Sequence, residues 1–283
     1  MSGHEVEARL RSPSCRNGVR AGQGRRDLPA GRGWRYQKDV VAHLVVSQFA
    51  ARYRGSLLGW LWALAPPLAQ LGVFYFVFTK ILPTQTEHFL IFLFTGIVAW
   101  TWFAAALTVA ASALVGRRDL VLRPGFPTVL LPFVAVVVTL VDYLLALPVL
   151  LTGAAVTIGV HVSYALLPAL LAIQFAFTAG LALLVAPLNV FFRDVGHLLA
   201  LVLMLGFFMT PVFYSADQVP ARVSWVYELN PLAQLIEAQR TILIERAVPD
   251  LVPLGLTAIG ALAFLLVGLG VFVVLRQSVP DRL

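Results

Sequence analysis

A single cysteine, Cys15, stands in 283 residues, which excludes a disulfide framework and a thiolate metal cage. Histidine is equally unhelpful to a metal. His4, His43, His88, His161 and His197 are scattered, without the i,i+4 or H-E-x-x-H spacing that a zinc site needs. No G-x-x-x-x-G-K-[ST] loop occurs, so the chain cannot hydrolyse ATP by the usual phosphate-loop route. Charge is scarce too: 12% of residues are charged and 59% hydrophobic, against roughly 25% and 45–50% in soluble domains. No pair of carboxylates stands where a metal-dependent phosphosugar transferase would need one. The only acidic residue deep in an apolar stretch is Asp142. No catalytic residue, metal ligand or cofactor of the chain's own is expected.

What is present is apolar length. From Leu57 to Leu275 the chain reads as apolar stretches separated by short polar loops. About 20 residues rising 1.5 Å each match a bilayer core of about 30 Å. The expected spans are 57–79, 89–114, 128–158, 164–190, 198–214 and 251–275, the third long enough to hide a break near Pro148. Net charge is +7, yet eleven of the 21 Lys and Arg residues lie in residues 1–54. That placement speaks for a membrane surface and against nucleic acid. With both termini inside, seventeen basic residues fall on the cytoplasmic side. Lys80, Arg222, Arg240 and Arg246 remain outside. The excess of positive charge on inner segments fixes that orientation.

The flanks differ from the spans. Residues 1–34 are rich in Arg, Gly and Ser and read as a disordered cytosolic tail, neither a cleavable signal nor a packed domain. Residues 35–56 read as an amphipathic interface helix, with Val41, Leu44, Val45, Gln48, Phe49 and Tyr53 on one stripe. Simple packing on the cytosolic side is the alternative. After Pro211 the chain turns mixed in character. Asn230-Pro231 is a strong helix start, an N-cap followed by proline at the first helical position. Leu232, Leu235, Ile236, Gln239 and Leu243 then share a face. Residues 212–250 therefore read as a re-entrant or surface-lying outer region, tolerated where protein or water satisfies its backbone. The fold class is all-α and polytopic: six transmembrane helices over 57–275, an interface helix before them, a re-entrant outer region before the last span, and a cytosolic end at 276–283.

Four ordered motifs add a resemblance. Arg52-Tyr53-Arg54-Gly55-Ser56-Leu57-Leu58-Gly59-Trp60-Leu61-Trp62 is followed by Pro66-Pro67-Leu68. Arg123-Pro124-Gly125-Phe126-Pro127 comes next, then Asn189-Val190-Phe191-Phe192-Arg193-Asp194-Val195. Last are Thr210-Pro211-Val212-Phe213-Tyr214 and Asn230-Pro231-Leu232. Over about residues 35–280 this resembles the membrane subunit of type-2 ATP-binding-cassette (ABC) exporters of lipid-linked polysaccharides such as O-antigen, teichoic acid or galactan. The resemblance implies a homodimer in the bacterial inner membrane, working with two copies of an ABC ATPase subunit that supplies ATP and Mg. It implies a polyprenyl-diphosphate-linked polymer as cargo.

Each motif also has a physical reading. Arg52 and Arg54 can meet anionic headgroups or a lipid diphosphate, or serve only as a positive anchor. Pro66 and Pro67 remove two backbone donors and must bend or unwind the first span. Trp60, Trp62, Tyr75, Phe78, Trp100, Trp102 and Phe103 are candidates to line a sugar path, the alternative being an interfacial aromatic belt. Arg117, Arg118, Asp119, Arg123, Phe126, Arg193 and Asp194 lie on inner loops where an ATPase could push. Pro211, Tyr214, Asn230 and Pro231 mark the outer region. Asp142 invites a proton-relay reading, although a hydrogen bond across helices to a Thr, Gln or Trp is the plainer account. Rival functions are a type-2 exporter of drugs or lipids and an integral membrane glycosyl or phosphosugar transferase. A secondary transporter would need more buried charge and an internal repeat.

Overall fold

The computed structural model describes residues 30–56, 59–81, 87–215, 219–220, 222 and 224–283, with side chains from Lys38 onward. The tail expected over 1–34 lies outside these up to residue 29, as do parts of the outer region. The chain divides into two compact units, residues 1–39 and 40–283. Of the first, residues 30–39 are described, as helix.

Helix α1 spans Ala30–Tyr53, so it starts before residue 35, where the helix was expected. The predicted stripe is its half-buried face: Val41, Leu44, Val45, Gln48, Phe49 and Tyr53 are partly covered while Lys38 and His43 are exposed. Leu44 packs on a cluster that includes Leu114, Val121 and Leu131.

The expected first span is not one helix. A 3-10 turn (Gly59–Ala63) precedes α2 (Ala65–Phe76), which ends in a π turn (Val77–Ile81). Pro66 and Pro67 occupy the first turn of α2, where a missing N–H has no helical partner to lose. They start a helix rather than kink one. Among the described residues, four helices are long and apolar enough to cross a membrane. These are α3 (Phe89–Gly116), α5 (Leu130–Thr157), α6 (Leu167–Phe191) with the 3-10 turn before it, and α10 (Leu251–Leu275). The four-residue α4 (Arg118–Val121) links α3 to the next loop. Helix α5 runs unbroken through Pro148, so the expected break is absent. Helix α7 (Val195–Met209) has 15 residues, or about 22 Å at 1.5 Å per residue. The short α8 (Ser224–Glu228) and α9 (Pro231–Arg240) precede a π turn (Thr241–Glu245).

The bundle is organised around α3, most of which is buried, whereas α10 is mostly exposed. Water supplies no drive for apolar helices to associate inside lipid, so close backbone contact and polar bridges must do it. Both are present. A Cβ on Gly268 would come within 2.1 Å of the Gly180 carbonyl oxygen, so α10 and α6 cross with backbones in contact. Gln174, fully buried, donates to the Ala99 carbonyl at 3.0 Å and accepts from Gln239 at 3.2 Å. That chain joins α3, α6 and α9. At α9, Asn230 accepts from the Leu232 and Ala233 amides at 3.1 and 3.4 Å, the cap expected of an Asn-Pro start. Leu232, Leu235, Ile236, Gln239 and Leu243 are all buried.

Candidate functional site

A hollow of about 890 Å³ lies among the end of α1, the 59–63 turn, α2, α3, α5 and α7. One end is polar. Arg52 pairs with Asp142 through Nη1 and Oδ2, and the Tyr53 hydroxyl donates to Oδ1 at 2.8 Å. Burial first, then the hydrogen bond to Asp142, pushes the Tyr53 phenol up to about 12, so it stays a donor across physiological pH. The partners of Asp142 are thus an arginine and a tyrosine from α1, not the Thr, Gln or Trp expected. The rest of the lining is mostly rings and small apolar groups, among them Trp62, Pro66, Pro67, Trp100, Trp102, Ala105, Ala146, Phe207 and Phe208, with Gln70, Thr101, Thr108 and Thr139 interspersed.

The seven aromatic candidates separate into two groups. Trp60, Trp62 and Tyr75, in the broken first segment, are 51%, 53% and 42% exposed. Trp100, Trp102 and Phe103, on α3, are buried. The Phe103 ring lies parallel to Phe177 at 5.7 Å, which is packing. The Trp102 centroid is 5.2 Å from that of Tyr143, yet its indole N–H is buried with no partner among the described residues. Phe78 belongs to a ring cluster with Phe74, Phe89 and Phe213. The cavity gathers Trp62, Trp100 and Trp102 and leaves the other four outside.

Of the basic residues offered to a headgroup, Arg52 lines this cavity and Arg54 is exposed beside it in sequence. The coupling candidates sit elsewhere. Arg118, Asp119, Arg123, Arg193 and Asp194 are exposed, and Arg117 is half-buried. Phe126 packs on the Leu114–Leu131 cluster. The 121–129 loop and Arg276, Gln277 and Pro280 enclose a second hollow of about 420 Å³. Arg193 and Asp194 form no ion pair with each other. Asn189, just before them, donates to the Ala111 carbonyl at 2.8 Å and fastens the end of α6 to α3.

In the 212–250 region, Pro211 is buried and Asn230 donates to Thr210 Oγ1 at 3.0 Å. The hydroxyls of Tyr214 and Tyr227 are hydrogen-bonded to each other. Burial, then Tyr227, raises the Tyr214 pKa. Pro231 opens α9 directly after Asn230.

The sequence reading missed Arg240. Grouped there with the polar outer residues, it is 2% exposed. Its guanidinium lies 3.4 Å over the Phe92 ring, donates to the Val212 carbonyl at 2.8 Å, and has Glu237 at 3.5 Å. Gly96 makes the room: a Cβ there would meet the Val212 oxygen at 2.7 Å and Arg240 Nη2 at 3.0 Å. The signal was its register, four residues after buried Ile236 on the same helical face.

Residues 40–244 match the family model described as ABC-2 type transporter. An O-antigen export system permease protein RfbA of Myxococcus xanthus is 33% identical over 249 residues, 87% of this chain and 96% of the relative. A Klebsiella pneumoniae protein of the same name is 30% identical over 208 residues, 72% of this chain and 80% of its own length. The polysialic acid transport protein KpsM of Escherichia coli is 25% identical over 250 residues, 85% and 95% of the two chains. The chain belongs to the ABC-2 type transporter family. It is an integral membrane transport subunit rather than an enzyme, carries no cofactor itself, and relies on a partner ATPase to use ATP.

Proposed function

We propose that this chain is the permease of an exporter that moves a polysaccharide, carried on a polyprenyl diphosphate, out of the cytoplasm across the inner membrane. O-antigen, teichoic acid or a cell-wall galactan are the candidate polymers. Two relatives are named O-antigen export permeases and a third a polysialic acid transport protein. The observation that carries the reading is the exposure of Trp60, Trp62 and Tyr75 on a segment too broken to serve as a plain anchor. Half-exposed rings offer flat apolar faces to sugars, and a chain can slide over them without fixed hydrogen bonds.

The working unit is a homodimer with two ATPase subunits, the polymer passing between the two copies. Each chain crosses the membrane six times, counting the broken 59–81 segment and the short α7, with both termini cytoplasmic. Helix α1 lies at the cytoplasmic interface after the tail, and the 212–250 region re-enters from the outer side. Arg52 and Arg54 receive the lipid diphosphate. Force from the ATPase enters through Arg117, Arg118, Asp119, Arg123, Phe126, Arg193 and Asp194.

The test is reconstitution of the chain with its ATPase in vesicles loaded with lipid-linked polysaccharide. ATP-dependent appearance of polymer on the far side, reduced by Trp60→Ala, Trp62→Ala or Tyr75→Ala at unchanged assembly, is expected. Transport of a drug or phospholipid instead of polymer overturns the reading.

A further inference from the structure

Arg52 uses only part of its guanidinium. Nη1 gives one N–H to Asp142, out of the five donors that a guanidinium carries. The side chain is 33% exposed and stands at the polar end of the large cavity. Arg54 follows on the exposed side, so a single carboxylate balances two cations in this stretch. Beyond Arg52 the cavity is mostly apolar, walled by Pro66, Pro67, Ala105, Ala146 and Phe207, with Gln70 and three threonines among them. Its volume of about 890 Å³ lies in the range of small-molecule sites. A separate observation points to a ligand oxygen. Trp102 lines the same cavity, is 3% exposed, and has an indole N–H without a partner among the described residues. Such a donor costs free energy until an acceptor arrives. The Trp102 ring packs on Tyr143, the neighbour of Asp142, so the orphan donor and the charged end share one level of the bundle.

We propose that this cavity binds a single-chain lipid phosphate, of the polyprenyl phosphate class, with the phosphate taking Arg52 in place of Asp142 and the first isoprene units filling the apolar hollow. The inference rests on the lipid-linked cargo proposed above, and adds where the carrier is held and what occupies the cation before it arrives. Asp142 is a stand-in anion. A carboxylate and a phosphate on one guanidinium repel each other, more strongly out of water than in it. Arrival of the phosphate therefore releases Asp142, which keeps the Tyr53 hydroxyl as its remaining partner. Breaking the Arg52 contact leaves the Tyr53 hydroxyl as the remaining tie between the end of α1 and Asp142 on α5, so loading of the carrier loosens α1 without detaching it.

The sign of the Asp142 effect separates this from a structural ion pair. Purified full-length chain in detergent is titrated with farnesyl phosphate and binding is read by native mass spectrometry. Wild type binds. Arg52→Gln weakens binding roughly tenfold or more, as expected for loss of a charge-assisted contact. Asp142→Asn tightens it, because the competing anion is gone, while Asp142→Glu stays near wild type. Trp102→Phe weakens it with the ring retained. Ala146→Phe, or Ala105→Phe if the first variant does not fold, abolishes it by filling the hollow. Farnesol and inorganic phosphate bind poorly, each lacking half of the ligand. Weaker or unchanged binding in folded Asp142→Asn overturns the proposal. Equal binding of phosphatidylglycerol overturns it in favour of a general bilayer-lipid site. If the wild-type complex exports polymer while farnesyl phosphate binding ignores these substitutions, this site is wrong and the export reading stands. Binding as expected without polymer export reverses that outcome.

Discussion

Arg240 and Arg52 each ion-pair with a carboxylate, and the protein uses them in opposite ways. Arg240 is enclosed. A ring lies beneath it, a backbone carbonyl accepts its proton, and a glycine clears the space. Arg52 is a third exposed, bonded through one nitrogen, and open to a cavity. A buried guanidinium has no water to return to, so its contacts are all or nothing. A half-exposed one can exchange partners at little cost. Enclosure makes Arg240 a fastener between α9, α3 and the 212 turn. Openness makes Arg52 available to something that arrives.

Five substitutions test that contrast, in descending order of expected effect on stability. Arg240→Ala should cost about 2–5 kcal/mol, because a large buried side chain leaves a cavity and the Phe92 and Val212 carbonyls lose their donor, while Glu237, 42% exposed, stays hydrated. Thermal unfolding in detergent measures it, and a loss no larger than that of Arg52→Gln would break the comparison. Gly96→Ala leaves the charge in place but puts a methyl against the Val212 carbonyl and the guanidinium. A cost of about 1–3 kcal/mol is expected from overpacking, read by the same melt. Arg52→Gln should cost only about 0–1 kcal/mol as a partly solvated pair, yet abolish export in reconstituted vesicles. Normal export by this variant would reduce Arg52 to an anchor. Smallest of all, Arg193→Ala and Asp194→Ala should leave the melt unchanged, since both side chains are exposed and unpaired with each other. The complex should keep part of its ATP hydrolysis while polymer transport falls. Equal loss of both rates, or loss of neither, would show that the 192–194 turn does not couple the subunits.

Legibility followed the range of the forces involved. The stripe on α1 and the Asn230-Pro231 start of α9 were readable because helical register and capping are decided within a few residues. The four long spans were readable because hydrophobic length is a local sum. Pro66 and Pro67 were expected to bend or unwind the first span, and a 3-10 turn does precede them; that they open α2 follows because a proline pair is cheapest at a helix start. Continuity of α5 through Pro148 was equally hidden, as neighbouring helices can compensate one lost backbone bond. The cavity was half visible. Trp62, Trp100 and Trp102 were candidates from the outset, whereas Pro66, Ala105 and Phe207 carried no mark that would bring them together.

By itself the sequence determined the solvent, the helical character, the lack of a phosphate loop and of zinc-ligand spacing, and the family motifs. All of these follow from composition, spacing and short-range order. Only the tertiary structure decided which polar groups satisfy one another. Arg52 reaches Asp142 across 90 positions, and Arg240 reaches the Phe92 carbonyl across 148. Inside an apolar bundle each such group must find a partner or cost several kcal/mol, and which partner lies within reach is fixed by how the helices cross.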